Sequence, residues 1–246
     1  MVQAAESVTA ELAHAQRQVD RLHTGRTQLS IATFTSGGRF LLPGALARFT
    51  AAHPTPCSTS ERANRKTACR WSAGALSISR SRSPTNLALA YHFDGPLPGQ
   101  VSQNPAMRWI ALMQDPLYAV LPVGHHLTDR TALDIAELAA EPWVLGCSKT
   151  DAYLRRYARQ AGFDPEIRGT TTDYYFARSL VAAGMGISLI PSIALTPEEP
   201  GVRVVAIKQP APTRHIGLAT ISRRHHPQLR TLIDALQEQA PAPDAM

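Results

Sequence analysis

Three short runs of small polar residues stand where predicted helices begin. They are Thr35-Ser36-Gly37, Ser148-Lys149-Thr150 and Thr170-Thr171-Thr172-Asp173. The free N–H groups and the positive dipole end of a helix start can bind a carboxylate or another small anion. Each run also has a structural explanation, because Ser, Thr and Asp are favoured helix N-caps. The runs therefore predict an anion-binding site only if the fold brings them together.

Sequence patterns for catalysis or metal binding are absent. The sequence contains no GxSxG, HExxH, paired CxxC or P-loop motif. The adjacent histidines at 125–126 and 225–226 have no carboxylate or thiol partner at metal-ligand spacing, which favours solvated loops. The cysteines are three, an odd number in no metal-ligand spacing: Cys57, Cys69 and Cys147. We expect no enzyme, no metal and no cofactor.

The segment from Asp173 to Leu195 predicts a helix that leads into a buried strand. Apolar residues recur at helical spacing in its first half: Phe176, Leu180, Val181 and Met185. Gly184 and Gly186 mark the end of the helix, and the apolar run 187–190 follows. A strand without polar alternation belongs in a sheet covered on both faces, which predicts an α/β fold.

The remaining predicted elements alternate between strands and helices. The strands cover 28–34, 86–93, 117–121, 143–145, 202–208 and 216–222, and the helices cover 40–54, 134–139, 151–161 and 226–239. A run of Gly and Pro at 95–99 breaks the chain after the second strand and predicts a hinge. One α/β unit is thus interrupted by a second and then resumed.

Together with 173–195, two further motifs resemble the effector-binding part of LysR-type transcriptional regulators. They are DPLYAVLPVGHHL at 115–127 and ELAAEPWVLG at 137–146. The resemblance implies an α/β, two-lobed, periplasmic-binding-protein-like (type 2) fold in which a small effector binds between the lobes. It implies a first lobe at 27–95 and 197–239 and a second lobe at 96–196. The helix starts favour an anionic effector, and we expect a disordered tail at 240–246.

The resemblance also implies which residues face the effector. They are Thr35, Ser36 and Gly37 in the first lobe, Tyr91 and Phe93 at the end of the hinge strand, and Cys147, Ser148, Thr172 and Asp173 in the second lobe. Asp173 would repel an anion, so we expect an N-cap or a contact to an N–H or hydroxyl group of the ligand. For Cys147, a small buried apolar role is favoured over a redox sensor.

Residues 1–26 predict a helix with a coiled-coil stripe. The stripe consists of Val8, Leu12, Ala15, Val19 and Leu22. In the LysR-like family a helix here joins the DNA-binding domain to the effector domain and pairs two subunits, so we expect a homodimer or higher oligomer. The alternative is an amphipathic helix packed on its own domain.

The N-terminus lacks one part that the resemblance implies. A winged helix-turn-helix of ~60 residues would precede the linker helix, and Met1 falls inside that helix. DNA would then be contacted only through a missing N-terminal domain. Because the sequence has neither a secretory signal nor an apolar run long enough to span a membrane, we expect a cytoplasmic protein without a membrane partner.

Residues 55–85 depart from the resemblance. The stretch 55–86 carries six cations against one acid, which accounts for most of the net charge of +6, and it has no core periodicity. A disordered insertion is one interpretation. Another is a compensated double frameshift, because shifted codons can encode the strand- and helix-like words VLDL, EPEDCLPLV and VDLALAF. If the coding DNA offers no route to those words, the frameshift hypothesis fails.

Two other functional interpretations remain open from the sequence. The chain could be a stand-alone small-molecule binding protein that shares the two-lobed fold, although the coiled-coil stripe and the lack of an export signal oppose this. It could also be a non-functional, truncated or frameshifted fragment of a regulator, because the stretch 55–85 replaces elements that a first lobe would bury.

Overall fold

A computed structural model describes residues 31–53, 87–93, 107–221 and 228–240. The strands are β1 (Ile31–Ala32), β2 (Leu87–His92), β3 (Met107–Pro122), β4 (Ala132–Leu133), β5 (Pro142–Leu145), β6 (Glu166–Thr170), β7 (Ser188–Pro191), β8 (Val202–Ile207) and β9 (Thr213–Ile221). The helices are α1 (Thr35–Phe40), α2 (Leu42–Ala52), α3 (Ser148–Gln160), α4 (Tyr174–Ala182) and α5 (Leu229–Gln239), with short 3-10 turns at Ile135–Leu138 and Ser192–Ala194. The predicted linker helix, the hinge at 95–99, the stretch 55–85 and the tail 241–246 lie outside the described residues.

The long strand β3 connects the two halves of the molecule. Its first half pairs antiparallel with β9, which in turn pairs with β2. Its second half pairs antiparallel with β7 and β8. The sheet therefore has the order β1-β2-β9-β3-β8-β4, with β7 beside β3, while β5 and β6 form a separate parallel pair. Only 117–121 was predicted as a strand, because residues 107–116 include Asp115 and Pro116 and lack a clean alternation.

Three hydrophobic cores lie along β3, one in the first half of the molecule and two in the second half. The first contains Leu42 of α2, Leu218 of β9 and Leu232 of α5. In the second half, Leu117 packs in a cluster around Trp143 on one face of the sheet. Val120 packs with α4 on the other face. The four residues of β7 are all buried, which confirms the prediction of a strand covered on both faces.

The strand pairing joins segments that the sequence assigned to different lobes, and the lobe boundaries themselves stay a prediction. Residues 107–116 were expected in the second lobe, yet Met113 packs in the first core. The strand β8 was expected in the first lobe, yet Val205 and Ile207 pack around Trp143 in the second core. The reason is that β3 is long enough to reach both halves of the molecule. Met113 in its first half packs in the first core, and Leu117 in its second half packs in the second core.

Helix α4 begins as predicted but buries a different face. The Asp173 carboxylate accepts hydrogen bonds from the backbone N–H groups of Tyr175 at 2.8 Å and Phe176 at 3.0 Å, as an N-cap does. Gly184 follows the helix with a φ of 79°. Phe176 and Met185 were expected inside but are 56% and 39% exposed. Val181 is buried as predicted, but the residues buried with it are Tyr174, Ala177 and Arg178, at helical spacing on a face turned around the axis.

The polar residue Arg178 explains why that face was not predicted. Its side chain is buried, and its guanidinium donates to the carbonyl of Ala194 at 2.9 Å and to that of Pro197 at 2.5 Å. Each Nη group thus has one carbonyl acceptor, which offsets part of the cost of burying the charge, while the buried Nε has no hydrogen-bond partner among the described residues. Within the described ranges, no helix combines the length and apolar character needed to cross a membrane.

Candidate functional site

A buried ion pair lies where the two halves of the molecule meet. Asp115 of β3 and Arg214 of β9 face each other in the strand register, and the side chains of both are 0% exposed. The Arg214 Nε donates to Asp115 Oδ2 at 2.6 Å. The other carboxylate oxygen accepts from Ser192 Oγ at 2.7 Å and from the backbone N–H of Ile193 at 3.2 Å. The carboxylate is therefore fully bonded, and it fixes the Arg214 side chain.

The ion pair with Asp115 uses only the Nε group of Arg214, so its two Nη groups can bond elsewhere. Its Nη2 donates to Ser36 Oγ at 2.9 Å, while the buried Nη1 has no hydrogen-bond partner among the described residues. Three aromatic rings surround the group: its Cζ lies 4.8 Å from the ring centre of Tyr91, 5.1 Å from that of Phe34 and 5.5 Å from that of Tyr174. A buried cation with free N–H groups in an aromatic frame is suited to bind a small oxyanion.

A chain of polar contacts continues from these rings into the second half of the molecule. The Tyr174 hydroxyl lies 2.9 Å from Thr150 Oγ1, and Thr150 also donates to Cys147 Sγ at 3.4 Å. The Tyr91 hydroxyl lies 3.5 Å from the same sulfur. Tyr91 belongs to β2, whereas Cys147 and Thr150 lie at the start of α3, so these contacts cross between the halves. We call Phe34, Ser36, Tyr91, Cys147, Thr150, Tyr174 and Arg214 the junction site.

Burial keeps the two tyrosines of the junction site neutral. It raises the pKa of Tyr91 well above its ordinary value, and the neighbouring Tyr174 and Cys147 act in the same direction. Burial also raises the pKa of Tyr174, against an opposing effect of Arg214. A neutral phenol can donate its proton to a ligand oxygen. The site thus offers hydroxyl donors in addition to the guanidinium of Arg214.

A glycine makes room for one of these tyrosines. The ring of Tyr174 lies against Gly146, where any side chain would overlap it. Gly146 directly precedes Cys147, the N-cap position of α3. Because position 146 has no side chain, the Tyr174 ring can pack directly beside the start of α3.

The structure brings together some of the predicted site residues. Ser36, Tyr91 and Cys147 belong to the junction site, and Gly37 is buried against the ring of Phe34. Ser148 is the first residue of α3. Phe93 lies farther along and stacks on Tyr153 of α3, with ring centres 4.2 Å apart.

Other predicted residues lie apart from the junction site. Thr35 and Thr172 are exposed, and the Asp173 carboxylate caps α4. The predicted helix from Phe40 to Pro54 is preceded by a separate six-residue helix, α1, whose short dipole provides little of the expected anion attraction. All three helix starts nevertheless contribute a side chain to the junction site: Ser36 from α1, Thr150 from α3 and Tyr174 from α4.

The ion pair at the centre of the site was not predicted from the sequence. Asp115 lay within a quoted motif and Arg214 just before a predicted strand, but neither was given a role. A signal was present in principle, because a charged residue inside or beside an apolar strand is seldom buried without a partner. Which acid pairs with which base depends on the β3–β9 register, and this cannot be read from one sequence.

The fold and the junction site together define a two-lobed α/β domain with a polar, aromatic-lined site between its lobes. Residues 76–241 match the family model of the LysR substrate binding domain. Since the match covers more than half of the chain, the chain belongs to the LysR family of transcription regulators.

Comparison with a curated relative shows how much of such a protein is matched. The chain is 29% identical over 124 residues to the DNA-binding transcriptional dual regulator OxyR of Escherichia coli, a match that covers 48% of the chain and 40% of OxyR. The match thus spans less than half the length of that relative.

Solved structures of the family share the fold. The regulator HinK of Pseudomonas aeruginosa superposes with a TM-score of 0.67 at 19% identity, over 96% of this chain and 80% of that one. The effector-binding domain of BenM with its effector benzoate gives a TM-score of 0.64 at 17% identity, over 85% of this chain and 90% of that one. At such identities the likeness shows the two-lobed, periplasmic-binding-protein-like fold.

Proposed function

We propose that this chain is the ligand-sensing portion of a LysR-type transcriptional regulator, and that it binds a small carboxylate at the junction site. The observation that carries the proposal is the Nη1 group of Arg214, which is buried without an acceptor among the residues described. Leaving charged N–H groups buried and unbonded costs free energy, and a ligand oxygen removes that cost. BenM, which shares the fold, is described with benzoate as its effector.

The charges of the site favour a monovalent anion. Arg214 and Asp115 form a neutral pair, so a bound carboxylate adds one negative charge. The positive end of α3, together with the hydroxyl groups of Tyr91, Thr150 and Tyr174, would offset that charge, whereas the start of α4 is already capped by the Asp173 carboxylate. The rings of Phe34, Tyr91 and Tyr174 would contact the apolar body of the ligand. Ser36, Tyr91 and Cys147 remain proposed contacts, while Thr35, Gly37, Phe93, Ser148, Thr172 and Asp173 would act around the site.

Isothermal titration with paired ligands tests the proposal. The purified 246-residue chain is titrated with a panel of small carboxylates, starting with benzoate, and with the matching amides. We expect at least one carboxylate to bind more tightly than its amide. In Arg214→Lys, which keeps the charge but removes the forked donors, its affinity should fall about 10- to 100-fold, the value of hydrogen bonds to a charged group.

A second buried arginine provides the matched control. Arg178→Lys also loses buried guanidinium bonds, but these go to the carbonyls of Ala194 and Pro197 and not to a residue of the junction site, so it should destabilise without changing affinity. Asp115→Asn, where it folds, should bind the carboxylate more tightly because a negative charge near the ligand is removed. Equal affinity for every carboxylate and its amide, or equal effects of the two lysine variants, would refute the proposal.

The remaining functional proposals concern the whole regulator. Ligand binding between the lobes would shift an equilibrium between two lobe arrangements, and this shift would control transcription through a DNA-binding domain. The heptad stripe at 8–22 would pair two subunits in a homodimer or higher oligomer, and the regulator would work in the cytoplasm without catalysing a reaction. Sedimentation of the chain with and without the substitution Leu12→Glu tests the pairing role.

A further inference from the structure

Two neighbouring histidines on the second lobe point at the same carboxylate. The Nε2 of His125 lies 3.1 Å from Glu141 Oε2, and the Nε2 of His126 lies 3.7 Å from Glu141 Oε1. The two imidazole rings are stacked, with centres 4.5 Å apart. Adjacent residues in an extended chain point to opposite sides, but the turn after β3 places both rings on one side. Two nitrogens and one carboxylate therefore converge at one place.

The distances within this group suit a divalent transition metal. One ligand atom from each of the three residues lies within 4.8 Å of the other two. Zinc binds nitrogen and oxygen at ~2.0–2.2 Å, and tetrahedral geometry then separates neighbouring ligand atoms by about 3.3 Å. The two histidine–glutamate separations, 3.1 Å to Oε2 and 3.7 Å to Oε1, lie on either side of that value, so a small rotation of the carboxylate would bring one oxygen into position. Three protein ligands would leave a fourth position for water.

A hydrogen bond between His125 and Glu141 explains only part of this arrangement. The 3.7 Å separation at His126 is too long for a hydrogen bond. His126 is 69% exposed, so burial does not hold its ring against that of His125. One contact acts against metal binding: the backbone N–H of Leu127 faces Nδ1 of His125 at 3.3 Å. Metal binding at Nε2 keeps the ring proton on Nδ1, so this long contact is given up and the affinity is reduced accordingly.

We propose that His125, His126 and Glu141 form a binding site for zinc or a similar divalent transition metal, separate from the junction site. Two imidazoles and one carboxylate are a ligand set that such ions accept. The bound ion would link the turn after β3 to the residue that precedes β5. Because both segments border the core around Trp143, metal binding would stabilise the second lobe.

Zinc titration of the full chain tests this site. Isothermal titration should show a zinc ion bound through these residues, and the melting temperature should rise with zinc. His126→Gln should weaken that binding about tenfold or more, since it removes one of three protein ligands. The exposure of His126 makes this variant safe for folding. Glu141→Gln should also weaken zinc binding, and circular dichroism checks that this variant is folded.

The sequence offers a matched control in its other pair of adjacent histidines. The double variant His225→Gln/His226→Gln should keep the affinity and the thermal shift of the unchanged chain. The proposal is overturned if zinc gives neither heat nor a thermal shift. It is also overturned if His126→Gln binds zinc as the unchanged chain does, or if binding is lost only in the 225/226 variant.

Discussion

Replacing Asp115 by Asn should destabilise the protein strongly. The carboxylate accepts three hydrogen bonds and neutralises Arg214, and neither side chain is exposed. Removing one partner of a buried ion pair costs about 3–5 kcal/mol because the other charge stays buried and uncompensated. The free energy of unfolding of a domain is only ~5–15 kcal/mol, so Asp115→Asn should remove a large fraction of it. Equilibrium unfolding in urea, followed by tryptophan fluorescence, measures the loss as a lower midpoint.

An exposed ion pair and a double variant make this prediction falsifiable. Arg48 and Glu238 join α2 to α5 at 3.2 Å but are 51% and 67% exposed, so Glu238→Gln should cost less than about 1 kcal/mol. Replacing both buried partners, as in Asp115→Leu/Arg214→Met, should be less destabilising than Asp115→Asn alone, because no unpaired charge remains. The reasoning is refuted if Asp115→Asn costs no more than Glu238→Gln, or if the double variant is the least stable of the three.

Three other predictions concern local parts of the structure and are tested by the same urea assay. Gly146→Ala should cost about 1–3 kcal/mol and abolish ligand binding by displacing the Tyr174 ring, whereas Gly169→Ala, whose new methyl group meets only a side-chain atom at 3.9 Å, should be close to neutral. Asp173→Ala should cost ~1 kcal/mol through loss of the α4 cap, and Asp173→Ser should restore most of it. Burial lowers the pKa of His215 from 6.5, so the unfolded chain binds the proton more readily. Stability should therefore fall as the pH drops below 6.5, and His215→Gln should reduce that slope.

Much of the fold could be predicted because its strands and helices carry their own local signals. The apolar run 187–190 and the N-cap Asp173 define elements that the structure contains almost unchanged. The first half of β3 and the strand β6 were missed. Residues 107–116 form a strand because they pair with β9, and β6 is a strand beside β5 although no buried side chain lies in it. Pairing with a distant segment is invisible to local periodicity.

The candidate site was predicted less well than the fold, for a related reason. Ser36, Tyr91 and Cys147 were selected through a family resemblance, and they do lie together. The group that links them, Arg214, was not selected, because its role comes from a partner 99 positions away in the chain. Likewise, Glu141 meets His125 only in the folded chain, so the spacing argument against a metal site did not include it. Contacts between side chains that lie far apart in the sequence can be recognised only in the folded structure.

The position of the Asp115–Arg214 pair bears on how a ligand could change the lobe arrangement. Both residues lie on the strands that serve the first core, and Asp115 is two positions before Leu117, where the second core begins. Arg214 contacts the ring of Tyr174 on α4, and Arg39 at the end of α1 lies 4.2 Å from the ring centre of Tyr175 on the same helix. A ligand can shift a lobe equilibrium only by contacting the two arrangements unequally. If the proposed carboxylate binds between Arg214 and the hydroxyl groups of Thr150 and Tyr174, it would favour the arrangement described here over any arrangement in which those donors lie farther apart.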